Sequence, residues 1–171
     1  MSRPDPRSAA TSIDILQQSP LWKKQPAAEK IIREAIGAAV ATLPISTGEV
    51  SVVLTDDAAI RALNKQWRDI DKATNVLSFP AVSGTAGLSA QPRVMLGDIV
   101  LAYETLQREC EDEHKDFLHH LAHLCVHGFL HLMGYDHETE TEAESMERLE
   151  SAILARLDVP DPYLERDLRD A

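Results

Sequence analysis

His127, His131 and His137 are the residues whose types and spacing give this chain a chemistry. They stand as H-x3-H-x5-H in the stretch from His127-Gly128-Phe129-Leu130-His131 to Gly134-Tyr135-Asp136-His137. A helix turns once in about 3.6 residues, so side chains four apart lie one above the other on the same face. His127 and His131 can therefore offer two imidazoles to one ion. Gly134 is suited to end such a helix, because glycine takes left-handed backbone at little cost. The chain then turns back and can bring in His137. Three protein donors leave a fourth position open for water, the arrangement of a catalytic rather than a structural zinc site. The expectation is one Zn2+ ion on His127, His131 and His137. A core or capping role suits a lone helical histidine better than three at this spacing around a glycine.

The same spacing matches the metzincin protease pattern H-E-x-x-H-x-x-G-x-x-H at every named position but one. Those proteases carry a glutamate, the base that deprotonates the zinc-bound water, where this chain has Gly128. Peptide hydrolysis by that route is not expected. The reaction should lean on the ion, which lowers the pKa of its bound water to about 7.

The neighbours admit more than one role. His123 lies one turn before His127 on the same face. It is read as a helix histidine bonded to a neighbour or as support for a ligand, since a fourth ligand would close the open position. His119 and His120 are read as structural or solvated, and His114 as a solvated first-turn residue. Asp136 is a candidate site residue with two equal readings. One is to orient a metal-bound imidazole, the other to hold the turn after Gly134; direct base action is the weaker alternative. Tyr135 reads as packing. Arg61, Lys65 and Arg68 fall at i, i+4, i+7, which by spacing alone is a solvated basic face. Phe79 reads as core or, alternatively, as a base-stacking ring. The Glu138–Glu150 run reads as a solvated helix face.

Three stretches together resemble the YbeY family of single-strand-specific endoribonucleases. The first is the histidine string. The second is Asn64 through Arg68 with Thr74-Asn75-Val76-Leu77-Ser78-Phe79-Pro80, similar to N-x-x-x-R and T-[DN]-V-L-S-F-P. The third is Leu96-Gly97-Asp98-Ile99. The resemblance covers roughly residues 45 to 150. It implies zinc on the three histidines, and it makes Arg68 a catalytic residue rather than a solvated one. A guanidinium there would hold the phosphoryl oxygens as charge builds. It further implies single-stranded RNA as substrate and ribosomal RNA maturation at the 3′ end of the small-subunit RNA. Ribosome quality control belongs to the same expectation, with the small ribosomal subunit and an Era-type GTPase as partners. The rivals are a non-catalytic ribosome assembly factor with structural zinc and a metalloprotease-like hydrolase.

The rest of the chain must position these groups. At 171 residues, one domain over 1–171 is expected, with a flexible arm at 1–11 and an irregular tail at 158–171. No apolar run reaches membrane-span length, and the N-terminus lacks a signal-peptide stretch, so a cytoplasmic protein without membrane contact is expected. Cys110 and Cys125 are read as reduced thiols. The net charge is −11, unevenly spread: residues 1–80 carry ten Lys/Arg against nine Asp/Glu, residues 138–171 four against eleven. A tight, extended RNA surface is therefore not expected, although a local basic groove near Arg68 is compatible.

Strands are expected at Ser12–Gln17, Glu49–Thr55, Asn75–Phe79 and Val94–Tyr103. Helices are expected from Pro26 to Leu43, from Ala58 to Gln66, from Glu113 to Met133 and from Thr139 to Leu157. Residues 81–92 read as a loop or, alternatively, a lid. The fold class is α+β: a small sheet of about four strands packed by about five helices, with a zincin-like metal helix in or against the core. Its mixed, mostly parallel character is implied by the family resemblance.

Overall fold

The computed structural model describes residues 11–43, 48–81 and 94–163. The expected arm, most of the loop at 81–92 and the last residues of the tail lie outside them. The strands are β1 (Ser12–Gln17), β2 (Gly48–Thr55), β3 (Val76–Pro80) and β4 (Val94–Ala102). The helices are α1 (Ala28–Thr42), α2 (Asp57–Arg68), α3 (Tyr103–Glu113), α4 (Phe117–Leu132) and α5 (Glu140–Ala155). The sheet order is β1-β2-β4-β3. β1, β2 and β4 run parallel, and β3 is an antiparallel edge strand on β4. This is the α+β fold with a mixed, mostly parallel four-stranded sheet. Among the described residues no helix is long and apolar enough to cross a membrane.

Strand alternation assigns the two faces. Val50, Val52, Leu54, Ile99 and Leu101 pack with the buried residues of α1, α4 and α5. Val100, Ala102 and Leu77 turn the other way and meet Ile60 of α2. α4 is buried nearly all round and touches α1, α3, α5, β3 and β4. Its less buried stripe contains His119, His123, His127 and His131, so helical period and burial put the histidines on one line.

The expected helix from Glu113 to Met133 is α4, which begins only at Phe117. α3 ends at Glu113, His114 takes left-handed backbone (φ 53°), and α4 starts after the cap Asp116, whose side chain accepts the His119 N–H at 3.1 Å. His114 is thus the end of one helix, not the first turn of the next. α3 itself was not expected, and the strand before it stops one residue short of Tyr103. The reason is tertiary. Its sequence is highly charged and its apolar contacts are few: Tyr103, Leu106 and Cys110 are its buried residues. Its first turn is completed from outside, where Asp57 accepts the Thr105 N–H at 3.1 Å and the Thr105 hydroxyl at 2.6 Å. Glu104 returns the contact by accepting the Asp57 N–H at 2.9 Å. Each helix start caps the other, a pairing 48 residues apart that no local pattern announces.

Candidate functional site

The end of α4 sets the geometry. Tyr135 N–H bonds the Leu130 carbonyl at 3.0 Å and Gly134 N–H that of His131 at 3.1 Å, with Gly134 at φ 93°. This is a Schellman closure, which glycine adopts without the Cβ penalty. The chain reverses there and brings His137 back over the last turn. The ligand-type nitrogens of His127, His131 and His137 all lie within 4.8 Å of one another. The Nε2 atoms of His127 and His131 are 3.1 Å apart.

These residues fit a metal ion on two grounds. First, two nitrogens on one tetrahedral zinc at about 2.0–2.1 Å stand about 3.3 Å apart, close to the observed separation. Second, the imidazoles are held for ligation. His127 Nδ1 lies 2.5 Å from a Glu150 carboxylate oxygen, which leaves Nε2 to offer its lone pair. Burial, and then the neighbouring imidazoles of His127 and His137, hold His131 below the ordinary imidazole pKa. The same environment favours the neutral imidazole, the form that ligates.

Glu150 is the residue that sequence reasoning missed. It lies inside the run expected to be a solvated face, yet its side chain is 1% exposed. Its carboxylate also meets His123 Nε2 at 3.1 Å and accepts a hydrogen bond from the Tyr163 hydroxyl. Burial alone would raise its pKa. The bonds from His123, His127 and Tyr163 overcome that and bring it down to about 2. A signal for it exists in the sequence: Glu150 shares the stripe of α5 with Met146, Ile153 and Leu154, all buried. A carboxylate at a core position needs partners. His123, His127 and Glu150 also form a donor trio within 4.8 Å. Glu150 already bonds both imidazoles, whereas His123 Nδ1 is buried with no hydrogen-bond partner among the described residues.

Asp136 is half exposed. Its carboxylate accepts the His137 N–H at 2.8 Å and stands 3.8 Å from His137 Nδ1. It holds the turn that carries the third imidazole. His120, which sequence reading left as structural or solvated, is buried and bonds Glu109 at 3.0 Å; Glu109 also accepts from Asn75 at 3.0 Å. Burial opposes ionisation of Glu109, and the bonds from His120 and Asn75 win, lowering its pKa.

A cleft of about 800 Å³ runs past the histidine cluster. Arg68 and the edge strand β3 line it with His127, His131 and His137. Arg68 is the last residue of α2. Asp69 turns left-handed after it (φ 58°), and the Asn64 side chain ties down the following loop through the Lys72 carbonyl at 2.8 Å. The Arg68 side chain is exposed and has no ion-pair partner among the described residues. Arg61 does not share this freedom: its guanidinium is 2.8 Å from Asp71. Cys110 and Cys125 are free, buried thiols.

Fold and cluster together define a class: an α+β protein that gathers three imidazoles and one arginine on a single cleft, the donor set of a one-ion centre. The particular family follows from comparison with known proteins. The family model for endoribonuclease YbeY matches residues 13–158, and the chain belongs to that family. Endoribonuclease YbeY of Bradyrhizobium sp. (strain BTAi1) is 53% identical over 169 residues, 96% of this chain and 99% of that protein. The Nitrobacter winogradskyi protein of the same description is 55% identical over 160 residues, 92% of this chain and 84% of that one. The solution structure of TM1509 from Thermotoga maritima is 24% identical, with a TM-score of 0.46 over 88% of this chain and 97% of that one.

Proposed function

We propose that this protein is a zinc-dependent endoribonuclease that cuts single-stranded RNA in the cytoplasm. Its role is ribosomal RNA maturation, notably at the 3′ end of the small-subunit RNA, and ribosome quality control. The small ribosomal subunit and an Era-type GTPase are its partners. One observation carries the reading: in a chain of this family, three imidazoles and an exposed arginine converge on one cleft.

In this reading His127, His131 and His137 hold the ion. When bound, zinc supplies Lewis acidity toward a phosphoryl oxygen and lowers the pKa of water toward neutrality. The chain supplies the rest. Arg68 holds the phosphate in its fork and stabilises the charge that builds in the transition state. Glu150 accepts the Nδ1–H of His127 and so fixes its tautomer, and Asp136 fixes the backbone that presents His137. The product ends identify the nucleophile, since a 2′,3′-cyclic phosphate arises only from the ribose 2′-hydroxyl.

Proteolysis finds no support at Gly128. A Cβ there would stand 3.0 Å from Ser78 Oγ and 3.2 Å from Ile99 Cγ2, so this position faces the sheet with no space for a glutamate.

The test is cleavage of a labelled single-stranded RNA by the zinc-replete protein, by Arg68→Ala, by His131→Ala and by a chelated sample, with zinc content measured in each. Cleavage by wild type alone, with zinc retained in Arg68→Ala, supports the reading. Zinc tightly bound with no cleavage by wild type sinks it, in favour of a structural ion.

A further inference from the structure

Trp67 is a costly residue to leave in water, and the fold leaves it 65% exposed. It is the penultimate residue of α2, next to Arg68. Its ring meets that of Phe79 edge-on, with centroids 6.4 Å apart and planes at 63°. Phe79 is itself anchored on the buried cluster of Ile60, Leu77 and Val100. The tryptophan is therefore propped from behind while much of its surface faces solvent.

Its surroundings have the chemistry of nucleic acid. Arg68 is exposed beside it, and the same stretch carries exposed Lys65 and Lys72 together with exposed Asp69 and Asp71, a local net of +1 in a chain whose net charge is −11. Arg68 and Pro80, the chain neighbours of Trp67 and Phe79, line the cleft of the histidine cluster. β3 is the edge of the sheet, so this ring sits where a strand leaving the cleft would cross that edge. We infer that Trp67, backed by Phe79, is a stacking platform for an unpaired base of a single-stranded RNA whose adjoining phosphate lies on Arg68. Aromatic faces bind bases with little sequence preference, and only bases not already stacked in a duplex are available to them. The inference rests on the endoribonuclease reading and names a determinant of its single-strand preference.

The chain has two tryptophans, and the other, Trp22, is 2% exposed. Intrinsic fluorescence therefore reports the platform directly. The probe is a 2′-O-methyl single strand of mixed sequence, titrated into the zinc-replete full chain beside a duplex of the same sequence. The single strand should quench wild type and the duplex should not. Trp67→Phe, in which only Trp22 emits, should show no quenching. Affinity should fall about 5- to 100-fold in Trp67→Ala and Trp67→Leu, and stay within a few-fold of wild type in Trp67→Tyr. In RNA cleavage, Trp67→Ala should raise KM and leave kcat in place.

Unchanged affinity in Trp67→Ala, with wild type still cleaving, overturns the platform and leaves the enzyme reading standing. Full rescue by leucine also overturns it and assigns the patch to an apolar protein partner. A wild type that neither binds nor cleaves the single strand overturns both.

Discussion

Removing the Glu150 carboxylate should weaken zinc binding out of proportion to its effect on the fold. Three donors converge on its two oxygens: His127 Nδ1 at 2.5 Å, His123 Nε2 at 3.1 Å and the Tyr163 hydroxyl. Only the first of these bears on a nitrogen aimed at the ion. In Glu150→Gln the amide oxygen can still accept one bond, but the amide N–H2 is a donor facing donors. The His127 ring then loses the acceptor that fixes its tautomer and orientation. Loss of such a partner typically costs about 10- to 100-fold in metal affinity, or about 1.4–2.8 kcal/mol. The metal-free protein should also lose stability, because a stranded buried donor costs about 1–3 kcal/mol.

The two effects separate by assay. Zinc affinity is read by competition with a chromophoric chelator, and stability by urea unfolding of the metal-free protein. Tyr163→Phe removes one donor to the same carboxylate but leaves the His127 bond. It should lower stability while keeping zinc affinity within about twofold of wild type. If Glu150→Gln unfolds more easily but binds zinc as tightly as wild type, the carboxylate is only a packing element and the argument from His127 fails.

Two further outcomes follow from the packing. Gly128→Glu, which restores the metzincin glutamate, should confer no proteolysis on a casein substrate and should lower stability by about 1–3 kcal/mol or more, since the added atoms meet Ser78 and Ile99; a stable variant that digests casein would refute the assignment of this face. Asp57→Ala should cost about 1–2 kcal/mol at neutral pH by uncapping α3. Burial pushes the Asp57 carboxyl up, but the bonds from Thr105 and Arg108 prevail and hold it below its usual 3.8. A depressed folded-state pKa places this stabilisation above the unfolded value. The gap between wild type and variant in urea unfolding should therefore narrow as the pH falls below 3.8.

The parts of the site that were legible are those whose geometry is local. The i, i+4 histidines and the glycine stop are properties of a single helix end, so their convergence could be read from spacing alone. β2 and β4 were legible from their apolar runs. α3 was not, because its start is capped by Asp57 from a different helix and its buried face is only a narrow line. The break at His114 was not, because a left-handed non-glycine residue between two helical patterns leaves no mark in composition. Arg68 sits on a pattern that spacing alone reads as solvated. Its separation from Arg61 comes from the structure, where Asp71 engages one guanidinium and not the other.

The same contrast shows in the histidine stripe, where spacing marks the pair beside the glycine stop but not what supports it. His119, His123, His127 and His131 follow at i, i+4 along one stripe, each about 40° round from the last. What distinguishes them is the element each one faces. Glu150 of α5, 23 residues beyond His127, places its buried carboxylate against His123 Nε2 and His127 Nδ1. That engages opposite nitrogens of the two rings. His123 spends its Nε2 on Glu150, whereas His127 keeps its Nε2 facing that of His131. His119 lies beyond this carboxylate and is exposed. Which imidazole nitrogens remain free to face one another is thus set by the packing of α5 on α4, a tertiary contact.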